Sequence, residues 1–260
     1  MKNNYWLDAK DITAFKQGYK VVNGLSIKFF INERVIILGP NGSGKSSIVD
    51  LINRNIYPLV KENSYFRIFN EELIDIWKIR KYISTVNNEI KFRINKGLKV
   101  KDIILTGLYG RFCKINNPTD RDLINVNELI DKMSLNDISE RNFGCLSDGE
   151  KQVSIIARAI INNPKVIILD EPSTNLDLKS KNFLLNKIHN LSKLGISIIC
   201  ITHDISLITK DYDRVIFLKD REIIKDGKPN ELMNSENINQ LFDTNIKLIE
   251  NSNSWDVYRG

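Results

Sequence analysis

The most informative segment of the chain reads Arg34-Val35-Ile36-Ile37-Leu38-Gly39-Pro40-Asn41-Gly42-Ser43-Gly44-Lys45-Ser46. Its first five residues are a compact apolar run, which is typical of a strand buried in a parallel sheet. The run stops at a glycine-rich loop, and the apolar residues that recur after Ser46 at helical spacing predict a helix there. We therefore expect a buried strand, a tight loop and a helix in succession.

The loop itself matches the pattern G-x-x-x-x-G-K-[ST] from Gly39 to Ser46. Glycines let a backbone turn tightly and direct several N–H groups at one anion, and the positive end of the following helix also favours phosphate. Lys45 can reach the β- and γ-phosphates of ATP, and the Ser46 hydroxyl can coordinate Mg²⁺. The predicted nucleotide-binding residues are Gly39, Pro40, Asn41, Gly42, Ser43, Gly44, Lys45, Ser46 and Ser47.

A pair of acids, Asp170 and Glu171, follows a second apolar run that ends at Leu169. A carboxylate at the C-terminal end of a parallel strand lies where ligands bind in such sheets. We predict that Asp170 helps to hold Mg²⁺, directly or through water, and that Glu171 polarises the water that attacks the γ-phosphate. Together with the phosphate loop, the pair predicts hydrolysis of ATP.

The remaining apolar patterns predict an α/β fold. A third apolar run spans Ser197 to Ile201, and a stretch with helical spacing separates it from the second. Strand, helix and strand in this order predict a parallel sheet covered by helices. Residues 214–227 predict a β-hairpin, and residues 1–38 predict short strands and turns.

The stretch from 91 to 163 has helical patterns and no clear strand. This composition predicts a helical subdomain inserted into the sheet domain. The expected domain covers residues 1–227, and residues 228–260 are expected to form a polar, partly helical C-terminal extension.

Three further motifs accompany the phosphate loop and the acidic pair. They are Leu146-Ser147-Asp148-Gly149-Glu150, Ser173-Thr174-Asn175-Leu176-Asp177 and Ile201-Thr202-His203-Asp204. In order, they resemble the signature motif, the D-loop and the switch histidine of ATP-binding-cassette (ABC) ATPases. The resemblance covers about Asp11 to Gly227. It implies a P-loop NTPase core with a parallel sheet, an antiparallel β subdomain and an inserted helical subdomain.

The resemblance also implies a head-to-tail dimer, in which each ATP lies between one chain's phosphate loop and the other chain's signature motif. Ser147 would then supply a hydroxyl, and Gly149 would let the backbone approach a γ-phosphate. Asp177 of the D-loop would belong to the same site, and His203 would contact the γ-phosphate and the catalytic water. Taken alone, the signature segment would be an ordinary helix start with Ser147 as its N-cap.

Several positions depart from the family pattern. Asn88 stands where the family usually has a glutamine that contacts Mg²⁺, so it is the predicted metal residue of this loop, with contact through water. Asp148 and Glu150 replace the usual glycine and glutamine of the signature motif. Because both add negative charge near a phosphate, their side chains are expected to point away or to be neutralised by neighbours.

An aromatic residue usually stacks on the adenine in this family. Phe15 is the first candidate and Tyr19 is the alternative. Packing of Phe15 inside the β subdomain is the competing explanation for that residue.

Composition limits the possible partners. The net charge is +6 without any block of lysine or arginine, so no nucleic-acid partner is expected. No apolar run approaches the roughly 18 residues that span a bilayer, and three scattered cysteines suggest a reduced compartment. We therefore expect a cytoplasmic protein, peripheral at the inner face of the cell membrane, that forms a homodimer or heterodimer of cassettes and binds an integral membrane permease.

The role of the cassette has two candidate answers. The segment Gly97 to Gly107 resembles the same region in importer subunits, especially those for metal chelates or molybdate, which favours transport. The alternative is a non-transport ABC ATPase in cofactor assembly or another soluble process. A repair clamp would need a sustained heptad run, which is missing here. A small-molecule kinase would not need the signature motif or the D-loop.

Overall fold

The computed structural model describes residues 4–259. They form two compact units. The first unit contains the described residues up to Arg80 and those from Ser197 onward. The second unit is Lys81–Ile196.

The strands and helices are numbered along the chain. The strands are β1 (Tyr5–Lys16), β2 (Tyr19–Phe30), β3 (Arg34–Leu38), β4 (Tyr65–Ile68), β5 (Ile83–Val86), β6 (Val166–Asp170), β7 (Ser197–Thr202), β8 (Arg214–Lys219), β9 (Glu222–Gly227), β10 (Ile246–Glu250) and β11 (Trp255–Arg259). The helices are α1 (Lys45–Ile52), α2 (Ile76–Tyr82), α3 (Ile90–Arg93), α4 (Val100–Leu108), α5 (Asp120–Lys132), α6 (Asn136–Ser139), α7 (Asp148–Ile160), α8 (Leu178–Ser192), α9 (Pro229–Leu232) and α10 (Ser235–Phe242).

The first unit contains the strand that precedes the phosphate loop. Strand β3 pairs in parallel with β7 on one side and with β8 on the other, and β9 pairs antiparallel with β8. Val35 to Leu38 have no exposed surface, as the continuous apolar run predicts for a central strand. The prediction of a parallel sheet with a β-hairpin at residues 214–227 is confirmed.

The N-terminal strands of this unit are longer than the sequence suggested. Strands β1 and β2 have twelve residues each and, with β4, form an antiparallel sheet in the order β2-β1-β4. The prediction of short strands was wrong because the pairing register shifts between Ala9 and Ile12, where Asp11 has a positive φ of 48°. Such a bulge interrupts the two-residue alternation by which a long strand is recognised in sequence.

The second unit contains the predicted helical stretch. Strands β5 and β6 pair in parallel. Within the predicted stretch 91–163, the structure has the end of α3, helices α4 to α7 and none of the numbered strands. A Cβ on Gly107 would lie 2.2 Å from the carbonyl oxygen of Arg158, so α4 and α7 approach each other at a distance that only glycine permits. Arg158 Nε also donates to Thr106 Oγ1 at 3.0 Å.

The C-terminal extension was expected to be partly helical and also contains a hairpin. Helices α9 and α10 precede β10 and β11, which pair with each other in an antiparallel ladder. The indole of Trp255 is buried, and Lys210 N donates to Asn253 O at 2.9 Å. Sequence reasoning missed this hairpin because its short strands mix charged and apolar residues. Across the described part of the chain, every helix is too short or too polar to cross a membrane.

Candidate functional site

The predicted phosphate loop joins β3 to α1 in the first unit. Gly42 and Gly44 have positive φ values of 81° and 100°, which glycine adopts without strain. A Cβ on Gly39 would lie 2.1 Å from the carbonyl oxygen of Leu218, so this position also requires glycine. The glycines therefore shape the loop, and α1 begins directly after it at Lys45.

Two polar side chains of the loop are buried. Lys45 Nζ donates to the carbonyl oxygens of Gly39 and Pro40, at 2.8 Å in each case, and the residue is 6% exposed. Ser43 Oγ is buried and has no hydrogen-bond partner among the described residues. Because buried polar atoms in proteins are nearly always paired, an unpaired hydroxyl inside this loop fits a polar ligand such as a phosphate.

His203 lies at the same edge of the sheet as the phosphate loop. It is exposed and directly follows β7, whose last residue, Thr202, is paired in register with Leu38. Gly39 N donates to Thr202 O at 3.3 Å, which ties the start of the loop to the residue before His203. The structure therefore brings the predicted phosphate loop and the predicted switch histidine together.

The candidate adenine residues flank the tight turn between β1 and β2, with Phe15 near the end of β1 and Tyr19 at the start of β2. Phe15 is 46% exposed and Tyr19 is 76% exposed, so the alternative that Phe15 packs inside the β subdomain does not match the structure. Lys16 Nζ lies 2.7 Å from Asp50 Oδ2 of α1, so the end of β1 adjoins the helix that follows the phosphate loop. Either aromatic ring is available for stacking.

The acidic pair ends β6 in the second unit. Asp170 is the last residue of the strand and is half-buried. Glu171 is also half-buried and has a positive φ of 52°, a conformation that costs free energy in a residue other than glycine. Asn88 Nδ2 donates to Glu171 O at 3.4 Å. The structure therefore brings the predicted metal residue Asn88 next to the predicted base.

Oxygen atoms dominate the set of predicted metal residues. Ser46 presents an exposed hydroxyl in the first turn of α1, Asp170 presents a carboxylate, and Asn88 has an amide oxygen. Such hard oxygen donors suit Mg²⁺, which keeps several waters and takes further ligands from substrate phosphates. Residues 4–259 contain no group of three or more His, Cys, Asp or Glu side chains that could hold a metal ion. The residues present fit Mg²⁺.

Ser147 begins the helix that follows the signature motif. Its Oγ accepts a hydrogen bond from Glu150 N at 3.3 Å, and Glu150 Oε2 accepts one from Ser147 N at 2.7 Å. This reciprocal pair is a capping box, so Ser147 is the N-cap of α7. Ser147 and Asp148 are both exposed.

The two acids that depart from the family pattern have basic partners. Arg141 Nη1 lies 2.8 Å from Glu150 Oε1, and Lys151 Nζ lies 3.3 Å from Asp148 Oδ1. Burial alone would raise the pKa of Glu150, but the hydrogen bonds from Ser147 and the charge of Arg141 outweigh it and hold that pKa below its usual value. Neighbours therefore neutralise both acids, as the sequence led us to expect.

Gly149 has a packing role that sequence reasoning missed. A Cβ on this residue would lie 2.8 Å from Ser180 Cβ and 3.0 Å from Ser180 Cα, so the start of α7 can approach α8 only with glycine here. Asp177 is the N-cap of α8, and its Oδ1 accepts from Ser180 N at 2.8 Å. Hydrogen bonds from Ser180 lower the pKa of Asp177. The D-loop and the signature motif therefore meet at Ser180.

Comparison with known proteins identifies the family. The ABC transporter family model matches residues 22–174, which is more than half of the chain. An uncharacterized ABC transporter ATP-binding protein of Lactococcus lactis subsp. lactis (strain IL1403) is 29% identical over 246 residues and covers 93% of this chain and 94% of that protein. The zinc import ATP-binding protein of Wigglesworthia glossinidia brevipalpis is 30% identical over 239 residues and covers 91% of this chain and 92% of that protein.

Solved structures agree with these relatives. The cbiO1 component of the cbiONQ ABC transporter complex of Clostridium perfringens has a TM-score of 0.79 and 25% identity, and covers 92% of this chain and 94% of that chain. The family match and the structural likeness both indicate the P-loop NTPase fold. The chain therefore belongs to the ABC transporter family as a nucleotide-binding subunit, and it is an ATPase.

Proposed function

We propose that this ATPase binds ATP with Mg²⁺ and works as a head-to-tail dimer that powers transport through a separate membrane permease. In this proposal, Lys45 holds the β- and γ-phosphates, and Glu171 accepts the proton of the attacking water. His203 contacts the γ-phosphate and orients that water. Ser46, Asp170 and Asn88 are the residues that would hold Mg²⁺, and the ion would neutralise phosphate charge.

The observation that carries the dimer is the hydrogen bonding of Ser147. A serine hydroxyl has one donor and two acceptor sites, and the cap of α7 uses an acceptor site only. The O–H of this exposed side chain therefore remains able to donate. At the positive end of a 13-residue helix, such a donor suits an anion, and the γ-phosphate of a second chain's ATP would provide one.

A crosslinking experiment tests the dimer directly. Ser147→Cys is placed in a chain whose natural exposed cysteines are removed by Cys113→Ser and Cys145→Ser. The Ser147→Cys chain is mixed with a partner chain whose phosphate loop is intact, including Lys45, and has bound a photoreactive ATP. Labelling of Ser147→Cys in the other chain supports the head-to-tail arrangement. Labelling confined to the chain that holds the phosphate loop would contradict it.

The permease is proposed to dock on the segment around Asn88 and Lys91 to Leu108. Phe92 is 88% exposed. It borders a cavity of about 340 Å³ that is also lined by Lys91, Lys96 and Lys151. Burial lowers the pKa of Lys91. An apolar ring beside three lysines, of which Lys91 is partly desolvated, supports docking of a protein element with apolar and acidic side chains.

Import is the favoured direction because a relative over nearly the whole chain is named as a zinc import protein. The site of action would be the cytoplasmic face of the cell membrane. A pull-down from solubilised membranes, run beside one from cytosol, tests this role. Recovery of an integral membrane protein, lost with Phe92→Ser and kept with a matched exposed change such as Tyr57→Ser, is expected. Recovery of soluble assembly proteins alone would favour the non-transport alternative.

A further inference from the structure

The hairpin turn between β8 and β9 touches the phosphate loop. Arg221 N donates to the carbonyl oxygen of Ser43 at 3.0 Å. A Cβ built on Gly44 would lie 3.5 Å from Arg221 Cα and 3.6 Å from Arg221 Cγ, so the side-chain stem of Arg221 covers the outer face of Gly44. Gly44 is the N-cap of α1. The turn therefore contacts the loop where the helix begins.

The backbone at this turn is unusual for an arginine. Arg221 has a positive φ of 70°, and the preceding Asp220 has a positive φ of 51°. Glycine would adopt the Arg221 conformation without steric cost, whereas an arginine is strained there. The hairpin imposes this conformation, because Lys219 pairs with Glu222 and a two-residue turn of this kind needs a positive φ at both of its central residues. An arginine at this turn position therefore costs free energy that a glycine would not.

The charge of Arg221 is not paired with another side chain in the described part of the chain. Its guanidinium is exposed and makes no hydrogen bond or ion pair with residues 4–259. The next residue, Glu222, accepts instead from Asn23 Nδ2 at 2.6 Å. The positive charge of Arg221 therefore adds to the potential of a loop that already contains Lys45 and a helix N-terminus.

We propose that Arg221 is a positioning residue for the ATPase reaction. Its main-chain N–H and side-chain stem fix Ser43 and Gly44 in the conformation that receives phosphates, and its guanidinium raises the affinity of the loop for di- and triphosphates. This inference rests on the proposed role of the phosphate loop. The side chain acts through the loop and through the potential around it, not by contact with the reacting atoms.

The decisive variant is Arg221→Gly, because it keeps the main-chain hydrogen bond, relieves the strain and removes only the side chain. We expect the variant to fold as well as the parent, with a KM for ATP raised about three- to tenfold at low salt and kcat nearly unchanged. The difference should disappear near 1 M NaCl, where charges are screened beyond about 3 Å. Adenosine, which lacks phosphates, should bind both proteins equally. Arg221→Lys should restore most of the affinity for ATP.

Two comparisons separate the possible failures. Asp220→Gly removes a charge of the opposite sign from the same turn and should not weaken ATP binding. Equal loss of ATP and adenosine binding at every salt concentration in Arg221→Gly would mean a purely structural turn, and parental ATP affinity at low salt would also overturn the inference. Lys45→Ala is measured alongside: if it loses ATP while Arg221→Gly does not, only this inference fails. Parental ATP affinity in Lys45→Ala would overturn the phosphate-loop assignment as well.

Discussion

Asn88 Nδ2 donates a hydrogen bond to the main-chain carbonyl oxygen of Glu171 over 3.4 Å. Glu171 has the left-handed backbone conformation, with φ at 52°, so it needs contacts that hold it. The amide of Asn88 is one such contact, and it joins the two loops that follow β5 and β6. A change in the position of Asn88 would therefore shift the main chain of Glu171, the proposed base.

Asn88→Asp should slow hydrolysis. The substitution is nearly isosteric but replaces the donor with a carboxylate that faces a carbonyl oxygen, so the loop is expected to lose its hold on Glu171. We expect kcat to fall about tenfold, which corresponds to about 1.4 kcal/mol of activation free energy. Asn88→Gln keeps the amide donor, so its kcat should fall less than that of Asn88→Asp. Steady-state phosphate release measures both, and the idea fails if Asn88→Asp is as active as Asn88→Gln.

Glu171→Gln should bind ATP and hydrolyse it very slowly. The amide keeps the size and hydrogen bonding of the side chain but cannot accept a proton, and the loss of a general base typically costs about 10²- to 10⁴-fold. The variant should accumulate as an ATP-bound dimer, detected by size-exclusion chromatography with light scattering. Near-parental phosphate release would reject Glu171 as the base.

Gly149→Ala should destabilise the protein through packing. The added methyl group would clash with Ser180, and overpacking of this kind typically costs about 1–3 kcal/mol. Ser180→Gly removes the clashing Cβ but keeps the main-chain N–H that Asp177 caps. In urea unfolding, the double variant should therefore lose less stability than the sum of the two single variants. Strict additivity would show that the contact is not what requires glycine.

Glu150→Gln should show a pH-dependent loss of stability. Since hydrogen bonds and Arg141 hold the pKa of Glu150 below its usual range despite burial, ionised Glu150 stabilises the fold above its unfolded pKa of about 4.3. That stabilisation is lost as the pH falls through the lower folded pKa. We expect a cost of about 0.5 kcal/mol at pH 7 that vanishes in strongly acidic solution. Urea unfolding at both pH values measures it, with Glu128→Gln as a control for an exposed helical ion pair.

The phosphate-loop region could be predicted from sequence almost residue by residue. The apolar run gave β3, the glycine pattern gave the loop, and the helix begins at Lys45, one residue before the predicted Ser46. These features depend on neighbours in the chain, so local patterns contain the information. The capping box of Ser147 and Glu150 is local in the same way, since three positions separate its members.

Other parts depend on residues that are distant in sequence. No local pattern links Gly149 to Ser180, Asn88 to Glu171 or Ser43 to Arg221. The bulge at Asp11 likewise depends on how β1 pairs with β2, and it hides the length of both strands. Sequence reasoning therefore supplied the site residues as predictions, whereas their supporting contacts required the structure.

The close approach at Gly107 has a mechanical consequence. The backbone of α4 at Gly107 packs closely against the carbonyl oxygen of Arg158 in α7, and Arg158 also donates to Thr106. Because close-packed contacts of this kind resist displacement, the two helices are rigidly coupled. They would move together as one rigid body and would not slide along each other. A displacement of the segment that leads into α4 would then be transmitted to the start of α7, where Ser147 lies, with little deformation of the two helices.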